Sequence, residues 1–235
     1  MPDVLTLPVR SVVAATPLTR LIRLDLGNRP FVFQAGQAAL IGTHGQTERR
    51  PYSIASSPED AVRHHRLEFL VKVDAQGSIG PHLAALERGT RIDFEGPTGA
   101  FTLGPAPHAS AYLFVAGGTG ISPLRAMLRH LIATEAGVRL SVVYSARVPD
   151  ELAFRDELER LARRGLIQLH LTVTGQGYPG WDGVRGRITV EALERALPSK
   201  EAVCYLCGPP AMVEAVPPLL RQLGVPMSHV RTEEW

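Results

Sequence analysis

Two glycine-bearing turns and one arginine–tyrosine pair carry the chemistry legible in this sequence. Gly117-Gly118-Thr119-Gly120 follows an apolar run, Ala111 to Ala116, and opens an amphipathic one, Ile121 to Ala133. A strand that turns through glycines into a helix lets a pyrophosphate approach the backbone, and the helix start supplies unpaired N–H groups and partial positive charge. The spacing departs from G-x-G-x-x-G, and no acidic residue stands about twenty positions on at a strand end, so a tight turn without a ligand stays open as a reading. Cys207-Gly208-Pro209-Pro210 ends a later apolar run. Ligands of parallel sheets bind beyond the carboxyl ends of the strands, which puts this turn and the Gly117 turn on one edge. A small buried residue is the plainer reading of Cys207.

Arg50-Pro51-Tyr52-Ser53 lies on an expected strand. Alternation turns Arg50 and Tyr52 to one face and Ser53 to the other, presenting together a guanidinium for phosphate and an aromatic ring for a planar group. A surface arginine beside a half-buried tyrosine is the bland alternative. The two cysteines, Cys204 and Cys207, are three apart on one strand end. An odd separation aims them at opposite faces, so no disulfide is expected. Two thiols also fall short of the four ligands an iron–sulfur cluster normally takes. No metal site is expected.

Positioning such groups needs two kinds of scaffold. Val9 to Ala15, Thr19 to Leu26, Gln37 to Thr43, Arg50 to Ser56, Leu67 to Val73 and Arg91 to Gly96 are β-branched or alternating runs bounded by turn residues, the pattern of a small antiparallel barrel. One helix, Ile79 to Glu87, is expected among them, with Ser78 as its cap and Gly89 as its stop. Gly104-Pro105-Ala106-Pro107-His108 reads as a linker. Beyond it, Ala111 to Ala116, Leu140 to Tyr144, Gln168 to Val173 and Val203 to Leu206 read as strands. They alternate with helices at Ile121 to Ala133, Asp150 to Arg163 (capped by Asp150), Val190 to Leu197 and Ala211 to Leu223. Such alternation gives a parallel sheet with helices on both faces. The expected fold class is therefore β + α/β, a six-stranded antiparallel barrel over residues 1–106 followed by a Rossmann-like parallel-sheet domain over 107–235.

The 235 residues suit two modest domains, and 25 basic against 23 acidic residues without long runs of one sign argue against a nucleic-acid stripe or a polybasic membrane patch. Arg63-His64-His65-Arg66 is the densest basic cluster, read as a solvated loop ahead of a docking patch for an acidic protein. The first residues lack a secretory pattern, and no apolar stretch approaches ~18 residues, so a cytoplasmic protein without a membrane span is expected.

Taken in order, the motifs Arg50-Pro51-Tyr52-Ser53, Gly77-Ser78-Ile79, Gly96-Pro97-Thr98-Gly99-Ala100-Phe101, Gly117-Gly118-Thr119-Gly120-Ile121-Ser122-Pro123 and Cys207-Gly208-Pro209-Pro210-Ala211-Met212 resemble those of the ferredoxin–NADP reductase superfamily. The resemblance runs from the Phe33-Gln34-Ala35-Gly36-Gln37 turn to the last residue. It implies FAD and a nicotinamide nucleotide on neighbouring domains, with FMN the lesser alternative to FAD. Arg50 would bind the flavin pyrophosphate, with Pro51 beside it, Tyr52 would pack on the isoalloxazine, and Ser53 would hydrogen-bond near the reactive N5. Gly77, Ser78 and Ile79 would offer backbone N–H groups to the same pyrophosphate, matching the helix start read there. Gly118, Thr119 and Gly120 would meet the nicotinamide nucleotide, and Cys207, Gly208 and Pro209 would lie beside its ring.

The resemblance extends to Glu233-Glu234-Trp235, where Trp235 would stack as a lid on the flavin face that nicotinamide must reach and Glu233 would be an acid near the site. A frayed terminus is the alternative. Ser53, Cys207, Glu233 and Trp235 would serve hydride transfer as positioning or proton-managing groups. For a 2′-phosphate, Arg147 after Tyr144-Ser145-Ala146 and Arg185 or Arg187 are the available arginines, but the third strand ends in Thr172-Val173-Thr174-Gly175, where NADP-specific relatives commonly show Ser-Arg. NADH and NADPH both stay open.

The implied activity is hydride transfer from NAD(P)H to FAD and then single electrons to a separate acceptor: a ferredoxin, a flavodoxin or an oxygenase component. The alternative is a flavin-bearing relay subunit of a larger redox complex.

Overall fold

The alternating runs of the first hundred residues become an antiparallel sheet of β1 (Val4–Thr16), β2 (Thr19–Asp25), β3 (Ala38–Thr43), β4 (Arg50–Ser53), β5 (Arg66–Lys72) and β6 (Arg91–Thr98), in the order β4-β3-β6-β1-β2-β5. The structure is a computed structural model and describes residues 4–74, 76–83, 86–104 and 109–234. An isolated bridge between Ile54, just past β4, and Phe69 on β5 joins the two outer strands and closes the sheet into the expected barrel. Ile22, Leu24, Ile41, Ile54, Phe69 and Phe94 are fully buried inside it. Burying each contributes about 1.5–3 kcal/mol against chain entropy.

The chain divides into two units, Met1–Gly104 with Arg125–Ala133, and Pro105–Leu124 with Thr134–Trp235. Between β4 and β5 of the first lies an unexpected helix, α1 (Pro58–His64). Ser57 Oγ accepts from the Asp60 amide, proline stands in the first turn, and His65 ends the helix at φ 52°. Arg63 and His64 are therefore the last turn of a helix and Arg66 begins β5, which corrects the loop reading of that basic cluster. The expected helix 79–87 is also corrected: its described residues hold only a 3-10 turn, Pro81–Leu83, and Ala84 and Ala85 lie outside them. Gly80 at φ 111° breaks any helix begun at Ser78. The linker residues 105–108 also lie outside the described residues.

In the second unit, β7 (Ala111–Gly117), β8 (Arg139–Ala146), β9 (Gln168–Val173), β10 (Val184–Arg185), β11 (Val203–Gly208) and β12 (Val230–Glu234) form a sheet in the order β10-β9-β8-β7-β11-β12. Every pairing is parallel. The connections carry α2 (Ile121–Thr134), α3 (Arg155–Arg163), α4 (Val190–Ala196) and α5 (Pro210–Gln222). β7 is buried along its whole length, as a central parallel strand covered on both faces must be. Asp150 does not cap α3. It sits in a 3-10 turn, Pro149–Glu151, and the helix starts only after Phe154 at φ 60°. β10 and β12 were not expected from the sequence.

Candidate functional site

The strand order reverses between β7 and β11, and in open parallel sheets the crevice at the carboxyl ends of such a strand pair is where ligands bind. Both glycine turns are there. Cys207 pairs with Ala116 across β7 and β11, so Gly117 and Gly208 leave their strands side by side. The approach leaves no room for side chains. A Cβ at Gly120 would lie 2.2 Å from the Cys207 carbonyl oxygen, and one at Gly208 would lie 3.1 Å from Gly117 Cα. Gly118 takes φ 53°, in the region that favours glycine. The expected meeting of the two turns on one sheet edge is what the structure has.

Two helices begin at this edge. α5 follows Gly208-Pro209 with no side-chain cap at its start. Pro209 and Pro210 carry no N–H, and the Met212 and Val213 amides donate to the Pro209 carbonyl, so the first turn offers a ligand little beyond the Ala211 amide. Ser122, 3% exposed in the first turn of α2, has a buried Oγ without a hydrogen-bond partner among the described residues. Bare glycine turns and an orphaned hydroxyl fit a dinucleotide.

The third strand of this edge brings in Glu233. β12 runs parallel to β11 and places Glu233 opposite Cys207, with Cys207 Sγ donating to Glu233 Oε2 at 3.8 Å. Burial pushes the Cys207 thiol well above its usual range and the Glu233 carboxylate adds to the shift. Burial also raises the Glu233 carboxyl, against a smaller opposing effect of the thiol. Cys207 is thus a protonated donor rather than a nucleophile. The chain is held in the sheet as far as Glu234, and Trp235, expected as the lid, lies outside the described residues.

A residue the sequence reading passed over sets the Gly118 turn. The Tyr144 hydroxyl, on a fully buried side chain, donates to the Gly118 carbonyl at 3.0 Å and accepts from the Ala153 amide at 3.1 Å. This bridge ties the Ala153 backbone, just before α3, to the glycine turn. Arg147, at the end of β8, and Arg187 are exposed. Arg185 is committed to the Tyr178 and Trp181 carbonyls. The Gly175 amide donates to the Arg147 carbonyl at 2.8 Å, and a Cβ at Gly175 would come within 2.6 Å of that oxygen, so the backbone approach explains glycine where an arginine was sought.

In the first unit, Arg50 and Tyr52 lie on β4 opposite Ile41 and Ala39, Pro51 opposite Leu40, and half-buried Ser53 opposite Ala38. The Arg50 guanidinium is half exposed and grips Glu48 through Nε at 2.8 Å and Nη2 at 2.7 Å. Such an exposed pair contributes about 0–1 kcal/mol and leaves guanidinium donors for a phosphate. Arg50 also acts electrostatically on Tyr52, whose phenol burial raises. The amides of Gly77 and Ser78 are engaged by Asp74: Ser78 N–H donates to Asp74 Oδ1 at 2.8 Å and Gly77 N–H to the Asp74 carbonyl at 3.0 Å. These amides are therefore not the open donors of a helix start. Ile79 packs on the barrel core. An exposed guanidinium, a partly buried aromatic ring and a half-buried hydroxyl on one short strand fit a flavin nucleotide.

An open cleft of about 520 Å³ on this unit, lined by residues including Arg10, Asp25, His65 and Arg88, contains none of these groups. Among the described residues no cluster of three or more His, Cys, Asp or Glu is placed to hold a metal, and no helix is long and apolar enough to cross a membrane.

A closed antiparallel barrel followed by a parallel sheet with ligand turns at its switch point defines a class of two-cofactor oxidoreductases. The oxidoreductase FAD-binding domain family matches residues 7–103, and the oxidoreductase NAD-binding domain family matches residues 114–217. Ferredoxin–NADP reductase B of Sorangium cellulosum is 35% identical over 239 residues, covering 95% of this chain and 96% of that protein. The glycine betaine monooxygenase reductase subunit of Chromohalobacter salexigens is 32% identical over 212 residues, 87% of this chain, which spans only 56% of that protein. Among solved structures, the ferredoxin reductase in carbazole 1,9a-dioxygenase superposes with a TM-score of 0.82 at 26% identity, covering 99% of this chain and 69% of that one. The chain belongs to the ferredoxin–NADP reductase superfamily. It is a flavoenzyme with an FAD-binding and an NAD-binding domain.

Proposed function

We propose that this chain takes hydride from NAD(P)H onto FAD and hands single electrons to a separate redox protein, whether a ferredoxin, a flavodoxin or an oxygenase component. The observation that carries the reading is the meeting of the Gly117–Gly120 turn, the Cys207 thiol and the Glu233 carboxyl at the carboxyl ends of β7, β11 and β12. FAD, when bound, supplies hydride acceptance and one-electron delivery. The chain's own residues orient and shield. Residues 1–106 form the flavin domain and 107–235 the nicotinamide domain. Arg50, with Pro51 beside it, holds the flavin pyrophosphate, with Gly77, Ser78 and Ile79 flanking it. Tyr52 packs on the ring system, and Ser53 donates a hydrogen bond near N5. Gly118, Thr119, Gly120, Gly208 and Pro209 admit the nicotinamide nucleotide, with Arg147 and Arg187 toward its far end. Cys207 and Glu233 keep a proton at the edge of the nicotinamide site, and Trp235 covers the flavin until nicotinamide displaces it. Support comes from the full-length similarity to a ferredoxin–NADP reductase and from a reductase subunit of a monooxygenase among the relatives.

The test is anaerobic stopped-flow reduction with NADH and NADPH in parallel. Bleaching of the flavin band is expected with at least one donor, the ratio of the two rates naming the preferred one. No bleaching with either overturns the reading. Trp235→Ser is expected to change that ratio, and an unchanged ratio and spectrum would remove the lid.

A further inference from the structure

One buried titratable group has no part in the function as described. His82, in the 3-10 turn Pro81–Leu83, has no solvent exposure, yet its ring is polar at two edges. One edge is used: His82 Nε2 lies 2.7 Å from the Tyr52 hydroxyl, and the two rings meet edge to edge, near-parallel, with centroids 5.9 Å apart and planes 13° from parallel. The other is orphaned. His82 Nδ1 is buried without a hydrogen-bond partner among the described residues and lies 3.6 Å from where a Gly80 Cβ would stand. The backbone beneath is pinned by Thr43 Oγ1, which donates to the His82 carbonyl at 3.1 Å.

A fully buried imidazole beside a partly buried phenol is a costly arrangement for packing alone, since each unpaired buried polar atom costs about 1–3 kcal/mol. The arrangement makes sense if the ring serves that phenol. Tyr52 has one rotatable hydroxyl on a four-residue strand, and its His82 Nε2 partner is what fixes the direction of that O–H. Burial and the Arg50 charge hold His82 below its ordinary basicity, with Glu48 opposing weakly, so the ring is neutral and can accept the Tyr52 proton.

We propose that His82 is a positioning residue of the flavin site: its Nε2 accepts the Tyr52 O–H and thereby holds the phenol in the orientation FAD requires. This rests on the reading of Tyr52 as a flavin contact. The hydrogen bond also leaves the Tyr52 hydroxyl oxygen with a lone pair turned away from His82, available to a donor on the flavin chain.

The test is the FAD dissociation constant of the apoprotein, read by quenching of flavin fluorescence, together with the visible spectrum of the holoprotein. His82→Phe keeps a flat aromatic ring, somewhat larger than imidazole, but removes both nitrogens. Tyr52→Phe removes the same bond from the less buried end and guards against a misfolded His82 variant. Each single change is expected to weaken FAD binding roughly three- to tenfold, the range of one hydrogen bond. The double variant is expected to be no weaker than the worse single, because both act through one contact. His82→Gln, whose amide reaches the Nε2 position, is expected to restore most of the affinity. Additive losses, or a His82→Phe protein with unchanged affinity and spectrum, overturn the proposal. Tyr52→Ala distinguishes the two levels. If it leaves FAD affinity and the flavin spectrum unchanged, the flavin-contact reading fails and the proposal falls with it. If it weakens binding while His82→Phe does not, only the role of His82 fails.

Discussion

Glu233 shows how a single side chain can be set against the stability of its own fold. Its carboxyl is raised by burial, so ionising it costs more in the folded chain than in the unfolded one. The sign is therefore that stability is fullest below the ordinary Glu value of about 4.3 and falls as pH rises through the folded value. Glu233→Gln removes that burden and keeps a hydrogen-bond acceptor for Cys207. The variant is expected to melt at a higher temperature at neutral pH while its flavin is reduced more slowly by NAD(P)H. A lower melting temperature in a flavin-fluorescence melt would contradict the assignment. Both thiols share the same shielding: burial pushes Cys204 up to about 12, and Cys207 is 1% exposed. Iodoacetamide is expected to leave the native holoprotein unlabelled at mildly alkaline pH and to alkylate both cysteines after denaturation, as a mass shift would show. At this scale the sequence told part of the story. Arg50, Tyr52, Cys207 and the glycines announce themselves by motif, whereas Tyr144 and His82 act through contacts with residues far along the chain. Tyr144 also sits in an apolar strand, where a hydroxyl gives no signal.

The elements hold these residues by two different means. At the sheet edge the means is backbone proximity. Gly120→Ala would drive a methyl group into the Cys207 carbonyl at 2.2 Å, so β11 or the turn must shift. The expected cost is on the order of 1–3 kcal/mol of stability with a weakened NAD(P)⁺ affinity, measurable by melting and by titration of the flavin spectrum. Unchanged affinity would mean that the close approach is not needed by the ligand. In the first unit the means is charge. Glu68, almost fully buried, is held by Arg23 at 2.8 Å, Arg66 at 3.0 Å and Arg125 at 3.0 Å, and Asp60 is paired with Arg129. Burial alone would raise both carboxyls, but the arginines outweigh it, lowering Glu68 and bringing Asp60 to about 2. Depressed values contribute stability above the unfolded pKa near ~4 that is lost as pH falls through the folded one. Acid unfolding is expected to begin below about pH 4 and to lose that onset in Glu68→Gln, which should be destabilised by roughly 3–5 kcal/mol at neutral pH because three arginines lose their buried partner. A variant as stable as the parent would show that the network is dispensable. Long apolar elements were legible in the sequence: β7, α2 and α5 end within one or two residues of their expected limits. The misses have short or polar surfaces. α1 buries only Ala61, and its signal was the Ser57-Pro58-Glu59-Asp60 cap rather than any periodicity. β12 carries the pattern of an edge strand, with no fully buried residue, so alternation could not reveal it.

Over the whole molecule the question is how many electrons the 235-residue chain can store. The flavin counts for two. The only cysteines, Cys204 and Cys207, are free thiols on one strand, both raised far above physiological pH, and a dithiol couple needs at least one ready thiolate. Among the described residues no His, Cys, Asp and Glu cluster offers a metal a second redox site. A donor that delivers pairs and a flavin that takes up one pair require any one-electron acceptor to be met twice for each NAD(P)H consumed through the flavin. Anaerobic titration of the purified holoprotein is therefore expected to reach full bleaching at one NAD(P)H per bound FAD, with no further uptake. Addition of an oxidised one-electron acceptor is then expected to restore the flavin band at two acceptors per flavin. Uptake of a second equivalent would reveal a redox group that the chain's residues give no reason to expect. Failure of every one-electron acceptor, ferredoxins and flavodoxins included, alongside reoxidation by two-electron acceptors, would overturn the proposal that single electrons leave this chain.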